Sequence, residues 1–72
     1  MDGRSRYNKI TKILRPIVGQ TLHMKKIWRR IMIDIGASDS TIRECMKLMI
    51  DLGLIREVKE GMYKIERAEA DI

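Results

Sequence analysis

The chain's 72 residues predict a mainly α domain of three helices followed by a small β-hairpin. Three observations carry that prediction. Apolar side chains recur at three- and four-residue steps in three successive stretches, the spacing of one helical face. Pro16, Gly19, Gly36 and Gly53 punctuate the ends of those stretches. After the last of them, Leu54 to Val58 and Met62 to Ile65 read as short strands around a loop, Lys59-Glu60-Gly61, whose glycine supplies the positive φ.

The first helix opens near Ser5, a candidate cap, and its apolar face is Tyr7, Ile10, Ile13, Leu14, Ile17 and Val18. Pro16 lacks a backbone donor, so it should end or kink this helix near Leu14 or Arg15, with Gly19 as a further stop. The second helix starts between Thr21 and Met24. Met24, Ile27, Trp28, Ile31, Met32 and Ile35 form its apolar side, and Lys25, Lys26, Arg29 and Arg30 fall on the other. Gly36 ends it. Ser38 then caps the third helix by accepting from an amide two or three residues on. A capping box from Thr41 to Glu44 is the overlapping alternative. The Ser38 start is preferred because it sets Ile42, Met46, Met49 and Leu52 on one stripe. Ser40, Arg43, Glu44, Lys47 and Asp51 then face solvent, while Leu48 and Ile50 flank the stripe as core or as a subunit contact.

Residues 1–4 are expected as a mobile basic start, residues 5–66 as the folded domain, and residues 67–72 as an acidic tail. A chain of this size buries only about 60% of the surface it exposes when unfolded, so each large apolar residue matters. With 44% hydrophobic and 35% charged residues the composition is that of an ordinary globular domain. Six methionines and no phenylalanine make its core aliphatic. No apolar run reaches membrane-span length and no signal peptide is evident, so no membrane is expected. The single Cys45 cannot form an internal disulfide, and the expected setting is cytoplasmic.

Charge is unevenly distributed. Residues 1–30 hold nine of the fifteen basic side chains and one acid, Asp2, while residues 31–72 hold six bases and nine acids. A basic half favours a polyanionic partner through counterion release, although a solvated basic surface has the same composition.

The string from Ser38 to Ile55, SDSTIRECMKLMIDLGLI, with Gly36 at the turn, Ile42 six residues on, and Tyr63 and Ile65 in the returning strand, resembles the winged helix-turn-helix family. The resemblance covers roughly residues 7–66. In its methionine, isoleucine, lysine and arginine usage the chain is similar to small archaeal regulators, including those of viruses and plasmids. Met32 departs from the pattern, standing four residues before Gly36 where the family has a small residue at close helix approach. The wing is short, with only Lys59 and Lys64 as bases beside Glu57 and Glu60.

The resemblance implies a transcription regulator that reads double-stranded DNA with the third helix, residues 38–52, in the major groove. Arg43 is then the base reader, since its fork can bond two acceptors of guanine. Lys47 reaches a base or a phosphate. Ser38, Ser40 and Thr41 suit phosphate oxygens at the helix start, with Thr41 equally readable as a half-buried helix residue. Glu44 could accept from a cytosine amino group but repels phosphate, as does Asp39. Lys25, Lys26, Arg29 and Arg30, with Arg4 and Arg6 on an arm, would grip phosphates, and Lys59 and Lys64 are the wing's candidates. A homodimer is also expected, through Tyr7, Ile10 and Ile17 or through Leu48 and Ile50.

The same residues argue against an enzyme. His23 is alone and reads as a surface residue at a helix start. Cys45 lies on the apolar stripe as an inert thiol, and no zinc spacing, phosphate loop, cofactor or small-molecule site is evident. The competing function is a winged helix used for protein–protein contact. RNA ranks below both, because the exposed aromatic platform that unstacked bases need is missing.

Overall fold

The computed structural model describes residues 3–70. In chain order the elements are α1 (Gly3–Leu14), a 3-10 turn (Arg15–Ile17), β1 (Thr21–His23), α2 (Met24–Asp34), α3 (Asp39–Asp51), β2 (Ile55–Lys59) and β3 (Met62–Ile65). The strands form one antiparallel sheet in the order β1-β3-β2. Three helices with this sheet make a small, helix-rich, winged-helix-like fold.

α1 stops where proline requires it. Pro16 has no N–H for the next helical bond, and the chain tightens into the 3-10 turn. Ile10, Ile13, Leu14 and Ile17 are buried, but Val18 has already left the core face and is exposed. The helix begins at Gly3, so Ser5 lies inside it rather than at its cap position. Of the expected mobile start, Met1 and Asp2 lie outside the described residues.

The first correction concerns Thr21 to His23, expected at the opening of the second helix. They form β1, with Leu22 opposite Tyr63 and His23 opposite Met62. Flanking bonds extend the pairing, Gly19 N–H to Ile65 O at 2.8 Å and Ile65 N–H to Gln20 O at 2.9 Å. β3 thus becomes the middle strand of a three-stranded sheet. His23 is half-buried and caps α2, its Nδ1 accepting from Lys25 N–H at 3.1 Å. The hairpin loop is also shorter than expected. Lys59 pairs with Met62 across Glu60-Gly61, after an irregularity between Glu57 and Lys59.

α3 ends in a two-bond glycine cap. Leu54 N–H donates to Met49 O at 2.9 Å and Gly53 N–H to Ile50 O at 3.0 Å, with Gly53 at φ +72°. Met49 and Leu54, on either side of the cap, are fully buried together. This contact turns the chain from α3 into the sheet. Around it the core gathers Ile10 and Leu14 of α1, Ile27 and Ile31 of α2, Cys45 of α3 and Ile65 of β3.

Three further expectations change. Ile10 and Ile17 are in the core, so α1 has no apolar face for a second subunit. Met32 is 46% exposed and Ile33 74%, because α2 meets the core along Ile27 and Ile31. Met32 therefore does not set the approach of neighbouring helices. Residues 67–70, expected as a loose tail, are tied to the fold, beginning with Arg67 N–H donating to Leu54 O at 3.2 Å. Ala70 N–H donates to the Tyr7 hydroxyl at 2.9 Å, Glu69 pairs with Arg15, and Ala68 and Ala70 pack against the core. Among the described residues no helix is long and apolar enough to cross a membrane.

Candidate nucleic-acid interface

The turn between α2 and α3 is built on close approach rather than on an unusual φ. A Cβ on Gly36 would stand 3.1 Å from Thr41 Cγ2, tighter than ordinary van der Waals contact. Thr41 is fixed in place by the helix cap. Ser38 Oγ accepts from Thr41 N–H at 3.2 Å and donates to Thr41 Oγ1 at 2.7 Å. Ser38 is the N-cap, as expected, and the Thr41–Glu44 capping box does not form. The Ser38 hydroxyl proton and the half-buried Thr41 side chain are therefore committed to the turn, whereas Ser40 is exposed and free.

Beyond the cap, Cys45, Met46 and Met49 are buried and Ser40, Arg43, Glu44, Lys47 and Asp51 are exposed. The outward side of α3 divides into two flanks at about 100° per residue. On the flank towards α1, Glu44 makes an ion pair with Arg6. Arg6 is thus part of α1 and engaged, not carried on an arm, and the Arg4 side chain lies outside the described residues. On the other flank Arg43 and Lys47 stand one turn apart, with no partner among the described residues.

That second flank borders a cleft of about 380 Å³ between α2, α3 and β3. Its apolar lining is Met24 and Trp28 of α2, Ile42, Met46 and Ile50 of α3, and Tyr63 of β3. Arg43, Lys47 and Asp51 complete it. No spacing in the sequence brings these elements together. The half-buried Trp28 and the 45% exposed Ile50 are its traces in the chain.

The four bases of α2 do not act as one face. Lys25 and Arg29 are exposed, each next in sequence to a cleft-lining residue, Met24 and Trp28, and about 100° round the helix from it. Lys26 and Arg30 lie a further step round, towards the side where Asp34 meets Lys9 and Lys12 of α1. By this projection the first pair is the nearer to the cleft that Arg43 and Lys47 border.

In the sheet, Tyr63 lines the cleft, so alternation turns its neighbour Lys64 to the opposite face. Lys64 is half-buried there, directly across from Arg56 and Thr21. Lys59 sits at the hairpin end, opposite Met62. The wing's two bases thus stand apart from the Arg43 flank. Arg56, which the sequence did not single out, bonds Glu66 at 2.9 Å, and this bond holds the Glu66 carboxyl below the usual carboxylate range. Burial pushes the Cys45 thiol up, only partly offset by Arg6, so it is not activated as a nucleophile.

Comparison with protein-family models, with curated proteins and with solved structures gave no match.

Proposed function

We propose that this protein binds double-stranded DNA sequence-specifically as a small transcription regulator, with α3 entering the major groove. The observation that carries the reading is the outward side of α3. Arg43 and Lys47 are exposed on it with no partner among the described residues, and Lys25 and Arg29 of α2 are exposed as well. Arg43 reads a guanine edge and Lys47 a base or phosphate, while Ser40, at the helix start, meets a phosphate. Lys25 and Arg29 supply the grip. The resemblance to the winged helix-turn-helix family supports the placement of α3 in the major groove.

Lys25, Arg29 and Lys47 amount to about three neutralised phosphates, for which affinity falls about fortyfold between about 50 and 200 mM salt. Five phosphates, the number needed if Lys26 and Arg30 also took part, would give several hundredfold over the same range. Selection from a random duplex pool, followed by a salt titration on the selected site, tests both specificity and slope. No shift even at low salt would favour the competing reading, a protein-partner module.

Homodimerisation belongs to the proposal, because one such helix covers few base pairs and paired half-sites extend the contact. With Ile10 and Ile17 inside the core, the large apolar side chains left exposed among the described residues are Val18, Met32, Ile33, Ile50 and Val58, of which Ile33 is the most exposed. A dimer in sedimentation that becomes monomeric on Ile33→Glu is the expected result. A monomer at tens of micromolar, with and without DNA, would remove it.

A further inference from the structure

The cleft beside α3 has the makings of a small-molecule site. Its volume of about 380 Å³ falls within the range of about 300–1,000 Å³ usual for such sites. Its lining is apolar, with an aromatic ring on two of its three elements, Trp28 and Tyr63. A methionine and isoleucine floor offers nothing to the hydrogen-bonding edge of a nucleobase, whereas it suits an alkyl chain or a plain hydrocarbon ring. The lip is cationic at one end. Arg43 and Lys47 are unpaired there, and Asp51, one turn beyond Lys47, confines an anion to the Arg43 end.

We propose that this cleft binds amphipathic carboxylates, medium-chain fatty acids or their aromatic equivalents, with the hydrocarbon on Trp28 and Met46 and the carboxylate on Arg43 and Lys47. Because those two cations are the ones assigned to DNA, a bound carboxylate and a duplex compete, and the ligand acts as a release signal. Binding itself is independent of the DNA reading; the release signal rests on it.

Trp28 is the only tryptophan and lines the cleft, so its emission reports occupancy without any DNA present. The probe is octanoate, with octanamide as the uncharged control and straight-chain acids of increasing length as a series. Octanoate should give a saturable blue shift, and octanamide should bind several-fold more weakly. Affinity should rise about fourfold per methylene and then level off when the cleft is full. The Arg43→Ala/Lys47→Ala double change and Ile50→Glu should each weaken octanoate several-fold with the circular dichroism spectrum unchanged, and Lys26→Ala/Arg30→Ala should not. Ile50 is at the surface, so its variant keeps the test open if the double change unfolds. Equal binding of octanoate and octanamide would overturn the proposal, as would a length series without a plateau. A Trp28 shift that follows protein concentration without any acid would assign the cleft to a second copy and also overturn it. In a separate arm, octanoate should displace a labelled duplex in fluorescence anisotropy. Saturable octanoate binding with no duplex binding at all would uphold the site and remove the DNA reading, and ternary binding would remove the release signal.

Discussion

The two flanks of α3 belong to one exposed helical side, yet they differ in every property that matters to a polyanion. Towards α1, the Ser38 and Thr41 hydroxyls are bonded to each other, Thr41 packs against Gly36, and Glu44 is paired with Arg6. Towards the sheet, Arg43 and Lys47 border an apolar cleft and have no partner among the described residues, and the exposed Lys25 and Arg29 follow its Met24 and Trp28 in sequence. The first flank is occupied with holding the helix, and the second has unspent charge. An exposed helix face is therefore not a single surface. Its polarity runs across the axis, and a duplex would be steered to one side of it.

The largest expected effect breaks the comparison at α2. Lys25→Ala/Arg29→Ala should reduce the slope of log affinity against log salt by about two, close to sixtyfold weaker binding at about 0.1 M salt. Lys26→Ala/Arg30→Ala, on the α1 side, should leave the slope nearly unchanged. Equal losses would mean that the phosphates wrap the whole of α2. Arg43→Ala should cost about 1–3 kcal/mol on the selected site and relax preference at one base position, measured by competition among single-base variants.

On the occupied flank the effects are on stability. Gly36→Ala should destabilise by about 1–2 kcal/mol through crowding against Thr41. Adding Thr41→Ser removes the crowded methyl and should recover much of that loss, seen as favourable coupling in a denaturation double-mutant cycle. Arg6→Ala should cost less than about 1 kcal/mol of stability, since the pair is partly exposed. It should nonetheless weaken DNA binding a few-fold by leaving the Glu44 charge bare, and Arg6→Ala/Glu44→Gln should restore it. The smallest effect lies away from α3. Glu66 has a lowered pKa when folded, so the unfolded chain binds more protons between that value and the usual carboxylate range. Its contribution is complete above that range and fades as pH falls through it. Glu66→Gln should flatten this part of the acid unfolding profile and leave the neutral profile alone.

Features set by neighbours in sequence were legible from the residues alone. Pro16 stops α1, Ser38 opens α3, Gly53 closes it, and the Ser40 to Asp51 side faces out, because caps, proline and helical periodicity act within a turn or two. What could not be read depends on distant partners. Thr21 to His23 is too short to show alternation and is a strand only because Tyr63 and its neighbours lie beside it. Arg6 meets Glu44 across 38 residues and Tyr7 meets Ala70 across 63, and no local pattern announces either. The cleft was missed for the same reason, since its walls come from three separate elements. The division of Lys25 and Arg29 from Lys26 and Arg30 was readable in principle. It needed only the knowledge of which side α3 would occupy.

The middle strand of the sheet, β3, is the last of its three strands in sequence, and it is hydrogen-bonded on both edges. Until residues 62–65 are in place, β1 and β2 have no strand to pair with. The pairing of β1 with β3 is long-range, so completing the sheet closes the whole connection between them, a cost that the local helical contacts do not carry. A nascent chain halted at the hairpin loop would present its aliphatic interior to water, a natural target for chaperones.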